Sequence, residues 1–232
     1  MKSKEYMPYI VVILTFAILA LSNIPVSSAS STETKPATFG EASAERFKLQ
    51  FDESDYDLSE ELIVRCGTRL EVDGSVRVLM CESEPERGRN NRKALRTVQR
   101  LVKDLTLEPA RVDGIETQVW YNFAVVISPG DEETLIVNNH LYSQEKLGRD
   151  YSAPQRYDYP AWRGCIGMPG DGIHVRAEIS SSGEVLDVDS IGGRQGYASC
   201  VTRASMNVRN SKFIPAVSNG VPVKALFVEL FK

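Results

Sequence analysis

The sequence predicts an α+β fold of two small ββαβ units, each a short antiparallel sheet covered by a helix. Three observations carry this. Asp73-Gly74 and Ser181-Ser182-Gly183 are turn signals between runs of strand-forming residues. A helical apolar pattern follows each pair of runs. Then one short plan recurs: Pro109-Ala110 with Gly114, and Pro215-Ala216 with Gly220, each leading into an apolar strand. Aligning Gly74 with Gly183 brings the copies into step. The distance from turn glycine to Pro-Ala differs between them by three residues, which a loop absorbs.

The 232 residues are 42% apolar and 25% charged, enough for a real core. A net charge of -4 does not point to a nucleic-acid binder. The N-terminus differs in kind. Lys2 and Lys4 precede an apolar run at 10–21, and a polar stretch puts Ser27 and Ala29 at the positions of a cleavage site. Residues 1–29 therefore read as a secretory signal. The run is short beside the roughly 20 apolar residues of a spanning helix. The rival reading is an uncleaved anchor lengthened through Ile24 and Val26, and only then is the chain held at a membrane. Either reading places the rest outside the cytoplasm.

Four cysteines in an exported chain suggest two disulfides, with three possible connectivities. Sequence proximity favours Cys66–Cys81 and Cys165–Cys200. A two-residue turn at Asp73-Gly74 sets Val72 against Ser75, and counting outward places Cys66 opposite Cys81. A one-residue bulge shifts that count, and unpaired buried thiols are the alternative.

Residues 30–45 lack apolar periodicity and read as a disordered leader. Residues 46–128 hold the first unit. The acidic run at 52–61 reads as a solvated surface, with no calcium-loop spacing. Strands are expected at 64–71 and 75–81. A helix at 87–103 turns Leu95, Val98, Leu101 and Val102 inward, with Leu105 just beyond it. Its outward face is basic, and Arg92, Arg96 and Arg100 are its candidates for an anionic surface. The bland alternative is a solvated face neutralised by the run at 52–61. A strand at 118–127 closes the unit, and residues 129–158 form a polar connector. The second unit, 159–232, has strands at 172–179 and 184–191. Its helix at 197–209 turns Cys200, Val201, Ala204 and Val208 inward. A closing strand at 221–231 has Pro222 among its first residues, where, as on an edge, a missing N–H is tolerated.

Tyr159-Pro160, Gly183 and the run Phe213-x-Pro215-Ala216-x3-Gly220-x-Pro222-Val223 resemble the C-terminal domain of TonB, the energy transducer, over 159–232. Residues 60–127 resemble the same domain through Pro109-Ala110 and Gly114. The resemblance implies the periplasm of a Gram-negative envelope. It also implies binding by strand addition, in which an edge strand takes up a segment of an outer-membrane receptor. The residues it implies are Val223, Lys224, Ala225, Leu226, Phe227, Val228, Glu229 and Leu230, unless the other repeat or a second copy covers that edge. The sequence departs from a transducer in two ways. Its apolar run has no histidine, and residues 30–45 hold only Pro36, with a reach of about 55 Å at roughly 3.4 Å per residue. A periplasmic protein-interaction module is expected, ahead of an envelope protein that associates with anionic surfaces and ahead of energy transduction. The partner expected is a protein, either a receptor segment or a second copy.

No catalytic residue, metal ligand set or cofactor is expected. His140 and His174 have no ligand spacing, and the cysteines are even in number. Gly167, Gly170 and Gly172 lack the ending of a phosphate loop. Ser180 to Ser182 form a turn rather than a nucleophile elbow.

Overall fold

Glycine-closed hairpins open both main sheets. The computed structural model describes residues 34–86, 88–129, 134–165, 172–191 and 197–232. The predicted signal segment, Arg87, Gly167 and Gly170 lie outside them. Helix α1 (Glu41–Gln50) precedes the first hairpin, β1 (Leu62–Leu70) and β2 (Val76–Glu84). The turn between them is longer than expected. The Glu71 N–H bonds the Ser75 carbonyl at 3.0 Å, leaving a three-residue loop with Gly74 at φ 79°. A register shift beside Arg69 and Leu70 then restores the count, so Cys66 does face Cys81.

Helix α2 (Arg89–Lys103) follows, burying Ala94, Val98, Leu101 and Val102 as its spacing requires. A small hairpin comes next, β3 (Ala110–Val112) with β4 (Ile115–Thr117), and then β5 (Val119–Ile127). Strand β5 returns to pair with β1 along its whole length. All nine of its residues are buried, which explains why Asn122 is the one amide in an otherwise apolar and aromatic run.

The connector, too long for a structureless loop, packs locally. It forms β6 (Leu135–Val137), helix α3 (Gln144–Leu147), β7 (Tyr151–Ser152) and β8 (Gln155–Tyr157). The second hairpin, β9 (Ile173–Ile179) and β10 (Val185–Ile191), follows, then helix α4 (Ala198–Arg209). Its turn repeats the first: the Ser180 N–H bonds the Glu184 carbonyl, and Gly183 stands at φ 85°. Three short strands follow, β11 (Lys212–Ile214), β12 (Ala216–Ser218) and β13 (Val221–Val223), and β14 (Ala225–Phe231) ends the chain.

The fold is mixed α+β with small antiparallel sheets. One sheet runs β11-β8-β5-β1-β2 with β6 also on β5, and another runs β10-β9-β14. Two lesser sheets are β13-β12-β7 and the β3-β4 hairpin. The division at residue 159 is not kept, because β11 joins the first sheet through β8. The closing strand is also two elements: Val223 lies in β13 and pairs with Ala216 of β12, and β14 begins after Lys224.

The leader is a second correction. Ala37 and Phe39 are buried at 0% and 2% exposure. Lys35 and Thr38 pair with Arg111 and Glu108. The Gln155 side chain accepts from the Ala37 N–H at 2.8 Å and donates to its carbonyl at 2.7 Å. Order here comes from partners far along the chain, which local periodicity does not register. One core gathers Phe39, Phe47, Phe51 and Phe123 between α1, α2 and the first sheet. Another packs Cys200, Ala204 and Val208 of α4 onto Val175, Phe227 and Phe231.

Candidate functional site

Both cysteine pairs favoured by proximity are disulfides, Cys66–Cys81 and Cys165–Cys200. They point to an oxidising, extracytoplasmic compartment. Among the described residues no helix is long and apolar enough to cross a membrane.

Strand β14 ends its sheet, yet its outer edge is engaged. On that edge alternate residues present their backbone groups. Asn122 of β5 donates to the Val228 carbonyl at 2.9 Å, and the Leu226 N–H donates to Ser143 Oγ at 3.3 Å. Trp162 Nε1 donates to the Lys232 carbonyl at 2.9 Å. Ala225, Phe227, Val228 and Glu229 are buried, and Lys224 points outward to Glu178 at 2.7 Å. The residues expected to form a free edge are thus tied to the rest of the chain. The opposite edge differs: β10 is terminal in its sheet, and Leu186, Asp187 and Asp189 are exposed along it.

Helix α2 presents Arg92, Arg96 and Arg100 to solvent. Among the described residues no carboxylate ion-pairs with them. Two of the helix's other residues reach the acidic run: Lys93 lies 3.7 Å from Asp55 and above the Tyr56 ring, and Asn90 donates to the Asp57 carbonyl at 2.8 Å.

Between β14 and the first sheet lies a cleft the sequence did not flag. Trp120, Met80, Glu229 and Leu230 border both of its ends. Trp120 comes close to β1 because Gly67 stands beside it: a Cβ there would be 2.9 Å from the indole. The narrow end, about 30 Å³, holds both histidines. His140 is half-buried and donates from Nε2 to the Cys66 carbonyl at 2.8 Å. Burial pulls its pKa down to about 4, against the raising effect of that hydrogen bond. His174 stands 3.7 Å from Glu82.

The wide end, about 410 Å³, is bordered by a buried ion pair. Arg156 of β8 meets Glu229 of β14 at 2.6 Å, with both side chains 5% exposed or less. Arg156 also donates to Asn207 of α4, and its guanidinium lies 4.2 Å from the Tyr159 ring centroid. Burial pushes Glu229 up to about 7 although Arg156 pulls the other way. Arg156 Nε, Glu229 Oε2 and the Tyr159 hydroxyl have no hydrogen-bond partner. One sequence signal pointed here: Glu229 is the lone acid in an apolar strand, on the same face as Phe227 and Phe231. Nothing in the polar connector marked Arg156 as its partner. Among the described residues no His, Cys, Asp and Glu are grouped to hold a metal.

Comparison with protein-family models, with curated proteins and with solved structures finds no match to this chain.

Proposed function

We propose that the chain is a periplasmic protein-interaction module, built from a duplicated ββαβ unit similar to the TonB C-terminal domain, that takes up an extended partner segment by strand addition. The duplication is supported by correspondence at single residues. Turn glycines Gly74 and Gly183 press on the carbonyls of Leu107 and Phe213, each two residues before Pro-Ala. The hairpins that follow carry positive φ at Asp113-Gly114 and at Asn219-Gly220. In both units the strand after that hairpin pairs with the strand that opened the unit.

The observation that carries the binding reading is the outer edge of β10, with which no described strand pairs. Asp187 is exposed along it, while Asp189 already pairs with Arg176 at 3.0 Å, so the fitting occupant is an extended segment with a basic side chain opposite Asp187, such as a periplasmic segment of an outer-membrane protein. The test places a photo-crosslinking residue at Leu186, 51% exposed, or at Leu230, in intact cells. Mapped cross-links from Leu186 to such a segment, surviving high salt, are expected. Cross-links from Leu230 alone, or none to an outer-membrane protein, overturn the reading.

A second reading rests on the unpaired stripe of Arg92, Arg96 and Arg100: association with an anionic envelope surface. It predicts co-sedimentation with phosphatidylglycerol vesicles that fades as salt rises. The triple change R92E/R96E/R100E abolishes it while leaving cross-linking at Leu186 intact.

A further inference from the structure

The chain holds a single Asn-Gly pair, Asn219-Gly220. An asparagine loses its amide nitrogen spontaneously when two conditions meet. No other group holds its carboxamide, and the N–H of the next residue is open to attack it. Asn90, Asn91, Asn122, Asn138, Asn139 and Asn207 fail the first condition, since each has its carboxamide in a hydrogen bond. Asn210 is exposed, but the Ser211 N–H that follows it donates to the Val208 carbonyl at 3.1 Å. Asn219 meets both conditions. It is exposed at the tip of the β12–β13 hairpin, where Ser218 closes the two-residue turn against Val221. Among the described residues, neither its carboxamide nor the Gly220 N–H makes a hydrogen bond. Gly220 has no Cβ, and nothing lies within 4 Å of where one would stand, so the tip is uncrowded.

We propose that Asn219 is a site of spontaneous deamidation, with water as the only co-reactant. The Gly220 nitrogen attacks Asn219 Cγ, and the Cγ–Nδ2 bond breaks. The amide nitrogen departs as ammonia, carrying the proton that Gly220 gives up, and a five-membered succinimide remains. Water then adds to one of its two carbonyls. Opening at Cγ gives aspartate. Opening at the main-chain carbonyl gives isoaspartate, whose backbone runs on through Cβ and Cγ. Either product adds one negative charge to a net of -4. The first hairpin of this kind shows how the aspartate product fits. There Asp113-Gly114 fills the same turn, closed by Val112 against Ile115. Its φ angles of 54° and 77° match the 51° and 76° of Asn219 and Gly220. The turn therefore accepts aspartate without rearrangement. Isoaspartate lengthens it by one backbone atom, and the closure of Ser218 against Val221 is lost.

The oxidised protein is incubated at 37 °C and pH 7.4 beside a synthetic peptide of residues 216–223, which serves as the clock. Isoelectric focusing follows the more acidic form, and peptide mass mapping places the change. Methylation by an isoaspartate-specific methyltransferase counts the isoaspartate share. Asn219 is expected to convert at a rate within about tenfold of the peptide's, and at least about tenfold faster than Asn210. Asn219→Gly keeps a residue that accepts positive φ in the turn, and the acidic form is expected to disappear. Asn219→Asp is expected to fold with the parent's Tm. Slower conversion than this, an Asn210 that keeps pace, or an acidic form that persists in N219G protein overturns the proposal. An N219D protein that melts lower overturns the match with the Asp113 turn.

Discussion

Burial raises the pKa of Glu229 to about 7, against the pull of Arg156, and lowers that of His140 to about 4. The two groups therefore act on stability with opposite sign across nearly the same interval. Glu229 has a raised pKa, so its contribution is full below its ordinary 4.5 and is lost as pH rises to about 7. His140 has a lowered pKa, so its contribution is full above its ordinary 6.5 and is lost as pH falls to about 4. Each shift corresponds to about 3 kcal/mol. In the parent they offset, and urea stability is expected to be nearly flat between pH 4.5 and 6.5. Glu229→Gln removes one side of the balance. Its stability is expected to climb by about 3 kcal/mol from pH 4 to 6.5, read from urea midpoints at fixed m. A variant that stays flat would show that His140 does not titrate as its surroundings dictate. At this scale the sequence was half legible. An acid inside an apolar strand announces a buried partner, but that partner is 73 residues away and carries no pattern of its own.

The hairpins and helices were the most legible elements, since turn chemistry and periodicity act within a few residues. The cysteine count came out right although the turn is one residue longer than expected, because the bulge at Arg77 takes up the difference. The closing strand was misread as continuous, since Val221 to Phe231 keep one apolar character while the backbone changes sheets at Lys224. The turn glycines give the sharpest element-scale prediction. A Cβ at Gly74 or Gly183 would sit 2.1 or 2.2 Å from a backbone carbonyl oxygen. Gly74→Ala and Gly183→Ala are each expected to cost more than about 2 kcal/mol, combining left-handed strain with displacement of the Pro-Ala segment. Gly114 is also left-handed, but nothing lies within 4 Å of its would-be Cβ. Gly114→Ala is expected to cost only about 1 kcal/mol. Equal losses at all three sites in thermal melts would mean that the carbonyl contact contributes nothing.

For the whole molecule, the sequence divided the chain into a leader, two units and a connector, and the structure interleaves them. The leader lies on Glu108, Arg111 and Gln155, the connector supplies strands to the first sheet, and β11 joins that sheet from the second half. Such long-range arrangements leave no trace in local periodicity. Phe39→Ala is expected to destabilise the whole protein by about 3–5 kcal/mol, as removal of a fully buried aromatic does elsewhere. A change below 1 kcal/mol in urea unfolding would return residues 34–39 to the status of a loose tail. The disulfides close separations of 15 and 35 residues, and by chain-entropy arithmetic each contributes about 3–4 kcal/mol. Full reduction is expected to lower Tm by well over 10 °C, with Cys66→Ala/Cys81→Ala and Cys165→Ala/Cys200→Ala each accounting for part of it.

The clasp between Gln155 and Ala37 joins residues 118 apart. Translation delivers Ala37 long before Gln155 exists to receive it. Until Phe123 and the first-sheet strands follow, Phe39 has no core to enter, and the strip from Lys35 to Phe39 stays within reach of any holding factor or protease. The start of the folded part is thus made safe only once the chain has passed Gln155, well after it has left the ribosome.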